Sequence, residues 1–376
     1  MGREIDNRLV SCYAATHAGN VYKRWQCLSM ARVDGKVAMS DAVATLVDVA
    51  AAARVSVATA SRAINDRTHV SPHTRARVLE AAKRLHFQPS HAARTLRTRR
   101  TDVVGLIVPD ISSIFYASAL RAAEHTLRRR GYTLFIADSE EQAHLEAEAV
   151  EALLAHRVSG LILAPTSASA TMLRRALARY PVPIVTIDNR IDALDADAVL
   201  LDNVAGMCAL TSHLIDHGHR RIAYLGGLLR ESSGVERLKG YRAGLEGAGL
   251  PFDPRLALEG DWSLESGRRM MEAVLDLPTA CGAVVVGCHA MALGALLALR
   301  AAGQRVPADV ALVSFDDVPY GSMMDPPLTA LQSQDYDVGR LAAEMLLAHL
   351  DNPDARGGCE VRLPARLVVR RSCGCP

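Results

Sequence analysis

The sequence predicts a small all-α headpiece followed by two tandem α/β lobes, each built on a doubly wound parallel sheet. With 376 residues the chain is long enough for two or three domains with buried cores. Residues 45–100 carry 11 Lys and Arg against 3 Asp and Glu, whereas residues 101–376 carry 26 against 34. Beyond residue 100, short apolar runs alternate with helical segments. A small basic head on an acidic body is typical of a nucleic-acid-binding protein.

The first 44 residues show no sustained helical or strand period, and Met39 stands shortly before the first well-patterned segment. We interpret residues 1–44 as a disordered arm or as upstream sequence from a misplaced start codon. Residues 22–33 lack the apolar stretch of about 7 to 15 residues that a signal peptide needs. No apolar run reaches the roughly 18 residues of a membrane span. We therefore expect a soluble protein of the cytoplasm, without a membrane partner.

Three short helices are expected within residues 45–88. Apolar periodicity predicts helices over 46–53 and 57–64, separated by the turn Arg54-Val55-Ser56. Ser71 and Pro72 then supply an N-cap and a first helical residue for a helix that continues over 74–85. Helix, three-residue turn, helix is the helix-turn-helix arrangement, whose second helix lies in the major groove of DNA.

The exposed face of that second helix is expected to carry Val57, Ala58, Ser61 and Arg62. Arg62 can donate two hydrogen bonds to guanine O6 and N7, and Ser61 can bond a base or a phosphate. A generic helical hairpin with solvated charges would share the periodicity, but the basic balance of the segment favours DNA binding.

The sequence of the body predicts two sets of buried parallel strands with crossover helices between them. Such strands are covered on both faces, so their sequences are continuous apolar runs without alternation. The predicted strands cover residues 103–108, 133–137, 160–164, 184–187 and 198–201, then 221–225, 257–259, 283–286 and 311–315. The predicted crossover helices cover residues 118–130, 142–156, 206–217, 238–248, 266–275 and 291–302. Two facing lobes of this kind bind ligands in the cleft at the carboxyl ends of their strands.

Specific motifs run from the headpiece to the end of the chain. The headpiece contains Thr45-Leu46-Val47-Asp48-Val49-Ala50 and Val55-Ser56-Val57-Ala58-Thr59-Ala60-Ser61-Arg62-Ala63-Ile64-Asn65. Further motifs are Val104-Gly105-Leu106-Ile107-Val108-Pro109-Asp110, His217-Gly218-His219-Arg220, Gly260-Asp261-Trp262-Ser263, Met291-Ala292-Leu293-Gly294-Ala295 and Phe315-Asp316-Asp317. In this order they resemble the lactose-repressor (LacI/GalR) family of bacterial transcription regulators.

The resemblance implies a repressor that binds a palindromic double-stranded DNA operator as a homodimer. Residues 89–100 resemble the hinge helix and linker of the family, and Leu96 takes the position of the leucine that wedges into the minor groove. The alternative is that Leu96 is a linker residue packed on the body. Arg54 departs from the usual turn glycine, which asks a bulky side chain to take a turn that favours glycine. The implied DNA contacts are Val57, Ala58, Ser61, Arg62, Asn65, His69, Thr74, Arg94 and Leu96.

The body resembles periplasmic sugar-binding proteins, and the family implies a small carbohydrate-related effector in the cleft between the lobes. Trp262 can stack on a sugar face, and Arg237 and Asp316 can bind hydroxyls. Gly287-Cys288-His289 replaces an Asn-Asp pair of sugar-binding members, which favours a sugar acid, a phosphorylated sugar or another small metabolite over a plain hexose. The alternative is that His289 is a structural histidine without a role in ligand binding. A regulator without a small-molecule response, controlled by a protein partner, is the alternative. The implied effector-binding residues are Ser113, Phe115, Tyr116, Ser233, Arg237, Trp262, His289 and Asp316.

The expected domain boundaries follow from these assignments. The two lobes fill residues 101–376, the first from 101–202 and 332–350 and the second from 203–331 and 358–374. Only residues 372–376 follow the last motif, which is too short for a tetramerising helix, so we expect a dimer.

No enzyme or metal site is expected. The sequence shows no recognisable nucleophile with a base. It also shows no phosphate-binding glycine loop, because Gly226-Gly227 lacks the GxGxxG spacing. A secreted sugar-binding protein would have no use for the basic head. The eight cysteines form no CxxC pair and are expected to be reduced thiols. Cys373 and Cys375 flank a glycine, a spacing too common to assign a redox or metal role.

Overall fold

The structure, a computed structural model, describes residues 44–64, 70–87, 101–166, 170–191 and 194–375. The chain divides into two compact units, Met1–Pro89 with the headpiece and Ser90–Pro376 with the lobes. The expected hinge at residues 89–100 lies outside the described residues, as does the expected arm apart from Ala44.

The headpiece consists of helices α1 (Leu46–Ala52), α2 (Val57–Ile64) and α3 (Pro72–Arg84). Thr45 caps α1 through a capping box with Asp48, and Ser71 caps α3 by accepting a hydrogen bond from the Thr74 amide. Small or branched side chains form the core where the helices cross, namely Val49, Ala50, Ala53, Ala60, Ala63, Val78 and Ala81. The predicted helix-turn-helix is therefore present, with α2 at its predicted bounds.

The first lobe is a six-stranded parallel sheet in the order β11-β5-β4-β3-β1-β2. Its strands are β1 (Val103–Val108), β2 (Thr133–Asp138), β3 (Gly160–Leu163), β4 (Ile184–Ile187), β5 (Asp197–Leu201) and β11 (Glu360–Leu363). Helices α4 (Ile114–Arg129) and α11 (Asp335–Asp351) share one apolar core with this sheet, and α5 (Ala143–Ala155) and α6 (Ala170–Arg179) share another.

The second lobe repeats the plan with the order β12-β10-β9-β8-β6-β7, in which only β12 is antiparallel to its neighbour. Its strands are β6 (Ile222–Gly226), β7 (Ala257–Glu259), β8 (Ala283–Val286), β9 (Ala311–Ser314), β10 (Thr329–Gln332) and β12 (Arg366–Val368). Helices α7 (Asn203–Asp216) and α8 (Ser232–Gly247) pack together, as do α9 (Leu264–Leu275) and α10 (His289–Ala301). The predicted fold class of a helical headpiece and two doubly wound lobes is confirmed.

The chain crosses between the lobes three times, and one expected boundary is wrong. Residues 358–374 were assigned to the second lobe, but β11 hydrogen-bonds in parallel to β5 of the first lobe. The chain returns only with β12, which pairs with β10. The apolar pattern of the sequence did not predict β10, β11 or β12. Among the described helices, none has both the length and the apolar character needed to cross a lipid bilayer.

Candidate functional site

The turn between α1 and α2 contains the residue that departs from the usual glycine. Arg54 has φ of 50°, in the left-handed region. The amide of Val55 donates to the Ala50 carbonyl at 3.0 Å, which closes the end of α1 around it. The Arg77 guanidinium donates to the Ala53 carbonyl and ties α3 to the same turn. An arginine thus occupies the strained position without loss of the turn.

The face of α2 turned to solvent presents three of the predicted DNA-reading residues. Val57, Ala58 and Arg62 are exposed, whereas Ser61 is half-buried. Ser56 accepts a hydrogen bond from the Thr59 amide at 3.1 Å and so caps the helix on its DNA-reading end. Buried and exposed residues recur along α2 at the spacing of the helical period.

Of the other predicted DNA contacts, the structure describes Thr74. Thr74 is half-buried at the start of α3, where its hydroxyl accepts from the Ser71 hydroxyl at 2.9 Å. Asn65, His69, Arg94 and Leu96 lie outside the described residues.

All eight predicted effector-binding residues line one cleft in the body. It encloses about 630 Å³, part of it open to solvent, and residues of both lobes line it. The cleft residues come from segments that follow β1, β2, β4, β6, β7, β8 and β9, so the cleft lies at the carboxyl ends of the strands. The lining comprises Asp110, Ser113, Phe115, Tyr116, Glu141, Asp188, Glu231, Ser233, Arg237, Trp262, Cys288, His289, Ala290 and Asp316.

Arg237 is the buried cation of the cleft, with an exposed fraction of 5%. Its Nε donates to Asn203 Oδ1 at 2.9 Å, and an Nη donates to the Gly287 carbonyl at 2.5 Å. The guanidinium lies 3.9 Å from the centre of the Phe315 ring and 5.1 Å from that of Trp262. Asp316 is 3.9 Å away, at the limit of an ion pair. Several contacts therefore hold the guanidinium in one orientation.

Asn203 connects Arg237 to the first lobe. Its amide nitrogen donates to Glu236 Oε2 at 3.1 Å, and Glu236 receives two hydrogen bonds from Arg362 at 2.8 and 2.9 Å. Arg362 lies in β11 of the first lobe, and Glu236 lies in α8 of the second. Asn203 thus links the Arg237 guanidinium, through two hydrogen bonds, to a bidentate ion pair between the lobes.

Trp262 is held on the second-lobe side of the cleft in a strained backbone conformation, with φ of 65°. Its indole Nε1 donates to Glu231 Oε2 at 2.8 Å. The ring covers Gly227 so closely that a Cβ there would lie 2.2 Å from it. The other carboxyl oxygen, Glu231 Oε1, is buried and has no hydrogen-bond partner in the part of the chain that the structure describes.

Burial raises the pKa of several acids in the cleft. The pKa of Glu141 rises to about 8 and that of Glu231 to about 7, chiefly because burial disfavours their charged forms and second because other carboxylates lie near Glu141. Burial also raises the pKa of Asp188, which accepts a hydrogen bond from the Tyr116 hydroxyl at 2.8 Å. Burial raises the pKa of the Cys288 thiol to about 12. The cleft therefore holds protonated groups near neutral pH, which can donate hydrogen bonds.

Four acidic residues of the lining were not among the predicted effector-binding residues: Asp110, Glu141, Asp188 and Glu231. Asp110 and Asp188 follow closely on β1 and β4, so the rule that ligands bind at the carboxyl ends of strands could have found them. Glu141 and Glu231 lie farther from the ends of β2 and β6, where position along the sequence gives no direction for the side chain.

Comparison with known proteins decides the family. Residues 45–90 match the family model "Bacterial regulatory proteins, lacI family", and residues 211–373 match "Periplasmic binding protein-like domain". Catabolite control protein A of Priestia megaterium is 32% identical over 329 residues, which are 87% of this chain and 98% of that protein. The chain belongs to the LacI family.

Other members of the LacI family extend the match. The ribose operon repressor of Escherichia coli (strain K12) is 34% identical over 312 residues, 83% of this chain and 94% of that repressor. The crystal structure of the Lac repressor dimer bound to operator and the anti-inducer ONPF superposes with a TM-score of 0.78 at 29% identity, covering 88% of this chain and 99% of that one. A complex of the regulator CelR with cellobiose gives 0.66 at 32% identity, with 88% and 99% covered. As a LacI-family member the protein is a DNA-binding transcription regulator of the repressor type with an effector-binding body.

Proposed function

We propose that the protein is a repressor that binds a palindromic operator as a homodimer and whose operator affinity is set by a small polyhydroxylated metabolite in the cleft. Operator binding would take place in the bacterial cytoplasm, at the nucleoid, because the chromosome is there. In this proposal α2 enters the major groove, and Arg62 reads a guanine while Val57 and Ala58 contact thymine methyls.

The observation that carries the effector part of the proposal is the orphan acceptor Glu231 Oε1. A buried carboxyl oxygen without a partner costs free energy unless a ligand supplies a hydrogen bond. It lines the cleft together with Trp262, whose indole gives a flat apolar surface beside it. A polar group next to an aromatic surface suits a sugar ring, which has hydroxyls on its edge and an apolar face.

The charge of the lining favours a neutral ligand over an acidic one. Five carboxyl groups face the cleft, from Asp110, Glu141, Asp188, Glu231 and Asp316. Against them stand Arg237, two of whose five N–H donors already serve Asn203 and Gly287, and His289, whose Nδ1 lies 4.0 Å from Asp316. A sugar acid or phosphate would add a negative charge beside carboxyl groups of which Glu141, Asp188 and Glu231 already ionise less readily because of burial. We therefore replace the sequence-based preference for an acidic sugar with a neutral sugar, whose hydroxyls can donate to carboxylates and accept from protonated carboxyls and from His289.

The relatives support the same ligand class. One relative is named as the ribose operon repressor, and one similar structure is a complex with cellobiose. The alternative of a regulator controlled by a protein partner finds no support in these relatives, which leaves the cleft as the proposed control point.

The coupling between cleft and DNA follows from thermodynamic linkage. A ligand that contacts both lobes shifts their relative orientation only if it binds one arrangement better than the other. The Arg362–Glu236 pair and its bond to Asn203 join the lobes next to Arg237. In this proposal, closure of the two lobes around the ligand changes these hydrogen bonds, and the change in lobe orientation alters the affinity of the headpiece for DNA.

Calorimetry with the full chain tests the proposal, using a panel of neutral pentoses, hexoses and disaccharides beside the matching sugar acids. One neutral sugar bound per chain, with its acid at least tenfold weaker, supports it. Tighter binding of the acids contradicts the ligand class, and no binding across the panel contradicts the effector part. In parallel, selection from randomised duplex DNA tests operator binding, which is wrong if no two-fold-symmetric sequence is enriched.

A further inference from the structure

Two histidines and two cysteines meet at one place in the second lobe, away from the strand ends that line the cleft. His213 and His217 lie one turn apart near the end of α7, with ring centres 4.4 Å apart. Cys373 and Cys375 follow β12 and lie with their sulfur atoms 3.0 Å apart. Cys375 Sγ is 2.9 Å from His217 Nε2 and 3.6 Å from His213 Nε2. Ligand atoms of His213, Cys373 and Cys375 all lie within 4.8 Å of one another.

The surrounding contacts hold His217, Cys373 and Cys375 in place. His217 Nδ1 lies 2.7 Å from the His213 carbonyl oxygen, so that nitrogen holds the proton and Nε2 offers its lone pair to the cluster. The Thr329 hydroxyl donates to Cys373 Sγ at 3.1 Å and fixes the buried sulfur. Gly374 has φ of 92°, and this left-handed turn brings Cys375 back beside Cys373. The position of each cysteine is thus set by local geometry.

The segment that carries the cysteines is anchored to the sheet. The Ser372 hydroxyl donates to the Leu312 carbonyl in β9 at 2.6 Å and accepts from the Thr329 amide in β10 at 2.8 Å. The histidines stand on a helix that packs against α8 and the same core. The two halves of the cluster therefore sit on rigid elements, as a preorganised site requires.

We propose that His213, His217, Cys373 and Cys375 form a tetrahedral binding site for a zinc-like divalent cation. Two thiolates and two neutral imidazoles are a common ligand set for structural zinc, and with a divalent cation their total charge is zero. Binding displaces one proton from each thiol, and the imidazoles bind through Nε2 without losing a proton. Tetrahedral coordination with Zn–S bonds of about 2.3 Å needs sulfur atoms roughly 3.7 Å apart, so the pair opens by under an ångström. The ion would join α7 to the segment after β12.

Titration with Co²⁺ tests this site in the full chain, since tetrahedral cobalt thiolate gives a sulfur-to-metal charge-transfer band and strong visible bands. The reduced protein, freed of metal with a chelator, is expected to bind one Co²⁺ per chain with both signals and to lose them when Zn²⁺ is added. To exclude the cysteines outside the described residues, the titration is done in a Cys12→Ser/Cys27→Ser background.

Two variants at accessible positions are tested because Cys373 is fully buried. Cys375→Ser and His217→Gln are expected to weaken Co²⁺ binding at least tenfold, and Cys375→Ser to reduce the charge-transfer band by about half. The matched controls Cys359→Ser, at an exposed cysteine elsewhere, and His219→Gln, two residues beyond His217, are expected to bind as the background does.

Three outcomes overturn the proposal. One is the absence of the charge-transfer band in the reduced background protein. Another is unchanged affinity in both test variants. The third is a Cys373–Cys375 disulfide that mass spectrometry finds in the freshly purified protein and that, once reduced, leaves thiols that bind no cobalt; this result assigns the pair to redox chemistry instead.

Discussion

The exposed side of α2, where DNA contacts are proposed, and the lining of the cleft are built in opposite ways. On α2 the candidate reading residues Val57, Ala58 and Arg62 stand exposed on a helix whose core side is made of alanines. In the cleft, Arg237 and Glu231 are buried and bonded to their neighbours. An exposed residue can change without disturbing the fold, whereas a buried bonded residue supports both the fold and the ligand. Substitutions on α2 should therefore change DNA binding without changing the stability of the fold. Substitutions in the cleft should change both ligand binding and stability.

The largest effect is expected from Arg237→Met, which keeps the bulk of the side chain and removes its charge and donors. Asn203 Oδ1 and the Gly287 carbonyl lose their hydrogen bonds, so the free energy of unfolding should fall by roughly 2–4 kcal/mol in denaturant titrations. The effect of ligand on operator binding should disappear. Arg242→Met is the matched control, because Arg242 is an exposed arginine of the same helix. Unchanged stability together with intact ligand response would contradict the role given to Arg237.

Arg62→Ala is expected to act on DNA alone. It should weaken operator binding by about 1–3 kcal/mol and relax the preference at one base pair per half-site, because the bidentate contact to guanine is lost. The melting temperature should stay that of the wild type, since the side chain is exposed. Arg62→Lys keeps the positive charge but lacks the planar guanidinium that donates two parallel hydrogen bonds, so it should also lose the base preference. Equal weakening on all sequences by Arg62→Ala would assign Arg62 to phosphate contact only.

The smallest effect is a pH dependence of stability that comes from the partly buried Glu141 of the cleft. The folded-state pKa of Glu141 lies at about 8, above its ordinary value near 4.5, so between these values the folded state binds more protons than the unfolded state. Stability should therefore fall as pH rises from about 5 to 8, by roughly 1–2 kcal/mol after solvent screening. Glu141→Gln should flatten this slope in denaturant titrations, and the exposed Glu148→Gln should not. The same slope in both variants would place the titration elsewhere.

The sequence predicted the two regions to different depths. Apolar periodicity predicted the bounds of α2, whereas the eight cleft residues were implied by the resemblance to the LacI family and not by the pattern of the strands. It missed the first turns of α4 and α8, which begin at Ile114 and Ser232 where helices were expected from residues 118 and 238. Those turns carry cleft residues such as Phe115 and Ser233, whose burial follows the cleft and not the helical period of the core.

Features that depend on distant residues could not be predicted. The raised pKa values of Glu141 and Glu231 come from burial and from carboxylates on other loops. His217 and Cys375 lie 158 residues apart, so neither spacing nor composition joins them. Their meeting depends on the crossover that places β12 beside β10.

The central claim is that a ligand in the cleft sets the affinity for DNA, and fluorescence anisotropy tests it most directly. The full chain is titrated into a labelled duplex obtained by selection, with and without a saturating concentration of the sugar found by calorimetry. We expect the dissociation constant for the operator to change at least tenfold, equivalent to about 1.4 kcal/mol of coupling, while binding to an unrelated duplex stays the same. An operator affinity that is indifferent to the saturating ligand would contradict the account.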